Sequence, residues 1–116
     1  MTANKLQELQ DIYEALENDG AWTHSINVCR NLGEFGGGHD YKTVSKCQDY
    51  VMRFPAPIWV NCMAERHGVA RVVAAAKNEA MSCIFGLRTK KHENMLQRLR
   101  ELDVDAVVES SNSNKE

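Results

Sequence analysis

The sequence predicts an all-α fold, a single-domain bundle of five to six short helices. Apolar residues recur at three- and four-residue steps along most of the chain, which is the period of an amphipathic helix. Glycine, proline and asparagine interrupt this pattern at intervals that separate short helices. The 116 residues are 43% apolar and 26% charged, which is typical of a globular domain. A chain of this length can bury a core without metal or disulfide staples.

The first predicted helix covers residues 4–18, a stretch rich in good helix formers. Gly20 ends it, since glycine readily adopts the left-handed conformation that follows a helix. The apolar face of this helix would either enter the core or form a seam with a second copy of the chain. A homodimer through 4–18 is therefore one expectation. The apolar face consists of Leu6, Leu9, Tyr13 and Leu16.

The next segments alternate between short helices and breaks. A helix is predicted at 23–32 and a glycine-rich loop at 33–40. Thr43 is the predicted cap of a third helix. Pro57 suits the first turn of a fourth helix, which is predicted to end at Gly68. The predicted inward stripe of the third helix consists of Val44, Cys47, Val51 and Phe54.

The C-terminal half of the chain allows two arrangements. The apolar positions over 69–87 fit one long amphipathic helix, or two helices broken near residues 77–79. A last helix is predicted at 92–102, followed by an extended or packed segment at 104–108. Residues 110–116 are polar and are expected to be a disordered tail.

One helical domain is expected over residues 1–109, away from any membrane. No apolar run approaches the ~20 residues needed to cross a bilayer. The N-terminus lacks the apolar block of a secretory signal. We therefore expect no membrane partner and a cytoplasmic location, or the host's cytoplasm if a virus encodes the chain.

The four cysteines fall on the apolar sides of helical patterns, which predicts buried, reduced thiols. Four cysteines and four histidines could supply a zinc site. However, no two of them have the tight spacing of structural zinc, and there is no Cys-x-x-Cys. The sequence therefore predicts neither a metal nor a cofactor. The cysteines are Cys29, Cys47, Cys62 and Cys83.

The charge is unevenly spread along a chain whose net charge is −2. Residues 1–64 carry five Lys and Arg against eight Asp and Glu, whereas residues 65–100 carry eight against three. A basic segment within an acidic protein can mark a surface for nucleic acid or for an acidic protein. It can also be the solvated face of a helix-rich region.

In the basic half, Ala74 is followed four residues later by Asn78, and the apolar residues Ile84 and Leu87 come after them. This arrangement, over about 69–108, resembles the helix-turn-helix of Cro- and lambda-repressor-like regulators. Asn78 would form the turn, where the family prefers glycine. Two departures are Glu79, at a position that is usually apolar, and a following linker about four residues short.

The resemblance implies DNA binding through a recognition helix in the major groove. Lys90 and Lys91 would touch phosphates near the end of that helix, and Met81 and Ser82 would face base edges. The alternative is one continuous helix over 69–87. The candidate nucleic-acid-binding residues are Arg71, Lys77, Met81, Ser82, Arg88, Lys90, Lys91 and His92.

The glycine-rich loop is a second candidate contact region. A phosphate-cradling loop needs a glycine directly before its lysine and a strand in front. Here Tyr41 precedes Lys42 and a helix precedes the loop, so the loop is expected to be a connection that can touch a partner. The candidate partner-contact residues are Phe35, Gly36, Gly37, Gly38, His39, Asp40 and Tyr41.

Three classes of function are open to such a chain. The favoured class is a non-catalytic protein-binding module, an adaptor or inhibitor of the kind that a phage can encode. The alternative is a DNA-binding regulator that uses the basic segment 66–100. The third is a small enzyme with a dispersed site. An enzyme would need a nucleophile and a base, and Cys29 with His24 or His39 is one imaginable pair. Nothing local supports this pair, so no catalytic residue is predicted.

Overall fold

Six helices account for most of the computed structural model, which describes residues 2–83 and 89–102 and, in the first helix, side chains from Lys5 onward. The all-α prediction is confirmed, and the described residues include no strand. The predicted segment at 104–108, the polar tail and Arg88 lie outside them. The helices are α1 (Thr2–Asn18), α2 (Thr23–Asn31), α3 (Tyr41–Arg53), α4 (Ala56–His67), α5 (Val69–Ser82) and α6 (Lys90–Arg100).

Local signals in the sequence set most helix boundaries, with one correction at α3. The predicted cap was Thr43, but Asp40 is the N-cap, and its carboxylate accepts hydrogen bonds from the Thr43 backbone N–H at 3.0 Å and from Oγ1 at 2.8 Å. The helix therefore begins three residues earlier than predicted. Pro57 lies in the first turn of α4, as predicted, and Gly68 ends that helix with φ +90°.

The helix α5 is continuous from Val69 to Ser82. Asn78 lies inside it, and its carbonyl accepts a hydrogen bond from Ser82 Oγ at 3.0 Å. The turn predicted at Asn78 by the helix-turn-helix resemblance is therefore wrong. Uninterrupted helix formers explain the result, since alanine-rich sequence favours helix propagation over a turn.

The core forms around α1, which packs against α2, α4, α5 and α6. Most of the apolar face of α1 is buried in this one chain, together with Trp59 of α4, and Leu6 is half-buried. The face that would have formed a dimer seam through 4–18 is thus used inside the chain. The buried residues of that face are Leu9, Ile12, Tyr13 and Leu16.

The four cysteines divide into two pairs by burial. Cys29 and Cys47 are buried, as predicted, whereas Cys62 and Cys83 are half-buried. Burial raises the pKa of Cys29 well above its ordinary value, and the neighbouring Cys47 thiol raises it further. None of the described helices is both long and apolar enough to cross a bilayer.

Candidate protein-binding groove

A groove of about 220 Å³ lies between the loop that follows α2 and the second half of α3. We call it the aromatic groove. It is smaller than the ~300–1,000 Å³ of typical small-molecule sites, so it fits one or two side chains of a partner better than a whole metabolite. Its lining residues are Phe35, Lys46, Asp49, Tyr50, Arg53 and Phe54.

Tyr50 is at the centre of the aromatic contacts in this groove. Its ring centroid lies 6.1 Å from that of Phe35, in an edge arrangement, and 5.4 Å from that of Phe54, with tilted planes. Tyr50 and Phe54 are four residues apart on α3 and therefore share one helix face. Phe54 is 39% exposed, so the predicted inward stripe of α3 is wrong at its last position. The Phe54 ring is instead partly exposed to solvent beside the Tyr50 ring.

A polar cluster fixes Tyr50 against the loop. Arg66 donates to the Tyr50 hydroxyl at 2.9 Å, and its guanidinium carbon lies 5.7 Å from the centre of the Tyr50 ring. The same guanidinium donates from Nε to Glu34 at 3.0 Å, and Nε2 of His67 lies 2.6 Å from that carboxylate. Burial opposes ionisation of Glu34, but hydrogen bonds from His67 and Arg66 outweigh it and lower the pKa of Glu34. These contacts link the loop at Glu34 to the end of α4.

The rim of the groove carries three charged side chains from α3. Lys46, Asp49 and Arg53 have no ion-pair partner in the part of the chain that the structure describes. Their sum is one positive charge. Two more exposed apolar side chains, Met52 at 52% and Ile58 at 49%, flank Phe54 in the chain.

The predicted partner loop contributes only Phe35 to this groove. Gly36 and Gly37 take positive φ angles of 97° and 75° and turn the backbone. His39 Nε2 lies 3.2 Å from an Arg30 guanidinium nitrogen. Tyr41 is 88% exposed at the start of α3. Gly38 is half-buried, and Asp40 is occupied as the N-cap.

Sequence reasoning did not single out Tyr50 and Phe54, which line the aromatic groove. One signal was available: two aromatic residues at i and i+4, the second directly before Pro55. That spacing places both rings on one helix face. It does not say whether the face is buried, and Val51 and Cys47 on the same helix are buried.

The basic segment is largely used for contacts within the chain. Arg66 binds Glu34 at 3.0 Å, Lys91 lies 3.6 Å from Asp19, and Arg98 lies 3.6 Å from Glu8. All three acidic partners belong to the acidic N-terminal half. The uneven charge of the sequence therefore corresponds to ion pairs that join the two halves.

The predicted nucleic-acid contacts do not share one recognition helix. Lys77 Nζ donates to the Leu102 carbonyl at 3.0 Å, and Nε2 of His92 lies 3.0 Å from Asp19 without the alignment of a hydrogen bond. Lys90 and Lys91 begin α6 instead of ending a recognition helix. The remaining described candidates, Arg71, Met81 and Ser82, are exposed on α5.

The structure also brings together three side chains that sequence reasoning did not connect: His24, Glu79 and Cys83. From the sequence, Cys29 was the thiol considered as a nucleophile with His24 or His39 as its base. In the structure, Cys29 contacts Cys47, and Cys83 approaches His24 at 3.7 Å.

Comparison with protein-family models, with curated proteins and with solved structures found no match.

Proposed function

We propose that this protein is a non-catalytic protein-binding module, an adaptor or inhibitor, whose aromatic groove binds a short segment of a partner. The segment would carry one large apolar side chain next to acidic residues. The observation that supports this is the partly exposed aromatic face of Tyr50 and Phe54 beside Lys46 and Arg53, two cations that pair with no acidic group in the described ranges.

Aromatic side chains favour such a role because they offer a large contact area at a small cost in conformational entropy. Tyr50 is already held by the 2.9 Å hydrogen bond from Arg66. A side chain that is ordered before binding loses less entropy on binding. The groove is thus prepared to receive an apolar anchor with little rearrangement.

The charge of the rim supports the acidic part of the segment. The summed charge of Lys46, Asp49 and Arg53 is one positive charge. Neither cation forms an ion pair with another described residue. Rim charges chiefly change the association rate and its salt dependence. An acidic segment should therefore bind faster at low ionic strength than a neutral one with the same anchor.

Selection from a displayed random peptide library tests the proposal. Enriched peptides should share a large apolar residue flanked by Asp or Glu. Phe54→Ala should weaken their binding at least tenfold, which is about 1.4 kcal/mol. Arg53→Glu should weaken it most at low salt. Met81→Ala removes an apolar side chain that is more exposed than Phe54 and lies outside the groove, so it is the control and should have no effect.

Two results would contradict the proposal. One is a selection that enriches no peptide. The other is a set of peptides whose binding Phe54→Ala and Arg53→Glu leave unchanged. A mobility shift on duplex DNA at ~50 mM salt, abolished by Lys90→Ala with Lys91→Ala but not by Phe54→Ala, would instead favour the DNA-binding alternative.

A further inference from the structure

Three side chains able to bind a metal meet where α5 ends against α2. Nδ1 of His24 lies 3.0 Å from Oε1 and 3.2 Å from Oε2 of Glu79. The Cys83 sulfur lies 3.7 Å from that nitrogen and 3.2 Å from Oε2 of Glu79. His24 and Glu79 are buried, and Cys83 is half-buried.

We propose that His24, Glu79 and Cys83 form a binding site for a divalent transition-metal ion of the zinc class. One nitrogen, one carboxylate and one sulfur are a donor set that suits zinc or cobalt and not magnesium or calcium. Ligands at about 2.0–2.3 Å from a tetrahedral zinc lie about 3.3–3.7 Å from one another. The observed separations of 3.0–3.7 Å require only small side-chain movements to reach that geometry.

A fourth polar group is affected by the charges of the same cluster. The Tyr13 hydroxyl is fully buried and has no hydrogen-bond partner among the described residues. Burial and, next, the nearby charges of Glu79 and Cys83 raise the pKa of Tyr13, which places the phenol within electrostatic range of both ligands. A buried hydroxyl without a partner is uncommon. A water on the fourth coordination position would donate a hydrogen bond to the Tyr13 hydroxyl oxygen.

The surroundings hold the ligands in a suitable arrangement. Glu79 and Cys83 are four residues apart, so α5 and its cap present them on one face. Asn27 Nδ2 donates to Oε2 of Glu79 at 3.3 Å. Such outer hydrogen bonds orient metal ligands and raise affinity. The partial exposure of Cys83 gives the ion access from solvent.

Binding would exchange protons for the metal ion. The Cys83 thiol donates a hydrogen bond to Oε2 of Glu79, and its proton would be released to solvent when the thiolate coordinates the ion. Any proton on Nδ1 of His24 would leave as well. Affinity should therefore decrease as the pH falls, as it does for thiolate and imidazole sites in general.

Titration of the metal-free protein with Co²⁺ tests the site. We expect one ion per chain, a sulfur-to-cobalt charge-transfer band and the visible bands of a tetrahedral ion. Zn²⁺ should displace the cobalt. At ~100 times its Kd, Zn²⁺ should raise the melting temperature by on the order of ten degrees.

Two variants and a matched control make the result specific. Cys83→Ser should abolish the charge-transfer band, whereas Cys62→Ser, the other half-buried thiol, should keep it. Tyr13→Phe should fold at least as well as the parent without metal, because it removes the unpaired hydroxyl. It should weaken metal binding about 10–100-fold, as losses of outer hydrogen bonds do.

The proposal is overturned if the protein binds neither Co²⁺ nor Zn²⁺. It is also overturned if Cys83→Ser keeps the charge-transfer band, or if Cys62→Ser removes it. In those cases His24 and Glu79 form a structural ion pair only. The groove proposal would be unaffected, since it uses none of these residues.

Discussion

The indole nitrogen of Trp59 donates a 2.9 Å hydrogen bond to Oε2 of Glu17, and Ser25 Oγ donates to the same oxygen at 2.7 Å. One carboxylate, 8% exposed, thereby joins α1, α2 and α4. No cation pairs with it among the described residues. Burial raises the pKa of Glu17, although the two hydrogen bonds oppose that effect.

Replacement of Glu17 should separate hydrogen bonding from charge. Glu17→Ala leaves two buried donors unpaired, at about 1–3 kcal/mol of unfolding free energy each. Glu17→Gln keeps an acceptor, so it should cost far less. Because the folded pKa is raised, the contribution of Glu17 is fully present below its unfolded pKa and decreases as the pH rises through the folded value. Urea unfolding from mild acid to neutral pH should show that Glu17→Gln loses this dependence.

The His24–Glu79 pair should show the opposite pH dependence. Burial opposes ionisation of Glu79, but hydrogen bonds and charge from His24 outweigh it and lower the pKa of Glu79. Its contribution is therefore present above the unfolded pKa and is lost as the pH falls through the folded value. His24→Ala should cost about 3–5 kcal/mol at neutral pH, because it leaves a buried charge unpaired.

Chelator-treated samples are required for that measurement, so that metal does not contribute to stability. The difference between parent and His24→Ala should shrink in acid. A difference that stays constant with pH would show that Glu79 is not ionised beside His24. The double variant His24→Leu with Glu79→Leu should recover much of the lost stability, since an apolar pair needs no compensation.

Arg100 should contribute far more to stability than its neighbour Arg98. It donates to the carbonyls of Ala80 at 3.0 Å and Cys83 at 2.7 Å, and to Glu93 at 2.6 Å. These hydrogen bonds give partners to two backbone carbonyls at the C-terminal end of α5 and link that end to α6. Hydrogen bonds of a charged donor are worth about 1.5–3 kcal/mol, so Arg100→Ala should cost at least that amount in thermal or urea unfolding.

The matched control is Arg98→Ala, which removes an exposed pair with Glu8 at 3.6 Å. Exposed pairs of this kind contribute about 0.2–1 kcal/mol. Arg100→Lys should also destabilise the protein, because an ammonium cannot reproduce the planar fork of donors. Equal effects of the two alanine variants would contradict this account.

Gly68 should resist substitution although the space around it is open. Its backbone has φ +90° and ψ +144° between α4 and α5, a region that is essentially restricted to glycine. An added Cβ would meet no atom within 4 Å. Gly68→Ala should therefore lower the unfolding free energy by about 1–3 kcal/mol through backbone strain alone.

Asn78→Ala is the control for that measurement, since it is exposed within α5 and alanine is the better helix former. It should change stability little or raise it slightly. If Gly68→Ala behaves like the control, the junction between α4 and α5 adopts another backbone conformation in solution.

The helices could be predicted from the sequence because their signals are local. The apolar period, Pro57 and Gly68 each act within a few residues, and most helix ends agree with the structure to within three residues. The exception is α5, which ends at Ser82 instead of residue 87. The departure at Asn78 has a physical reason: a turn there rested on a resemblance, whereas the intrinsic helix propensity of the surrounding alanines favours continuity.

The candidate sites could be predicted only in part because they depend on contacts distant in the chain. His24 lies 55 residues from Glu79, and no single-sequence pattern connects them. The spacing of Glu79 and Cys83 was visible, but their burial was not. Phe35 was a candidate partner-contact residue because it precedes the glycine-rich loop. The spacing of Tyr50 and Phe54 was typical of the buried apolar stripe of a helix.

The limited burial of α3 has a consequence for how the groove would respond to an occupant. Only Cys47 and Val51 of this helix are buried, and it packs chiefly against α2. Helices with few buried apolar contacts open locally at a lower free energy than the whole fold. Amide hydrogens of α3 should therefore exchange with solvent sooner than those of α1. A segment bound between Phe35 and Tyr50 would tie α3 to the loop and slow that exchange, so amide protection in α3 would report when the groove is filled.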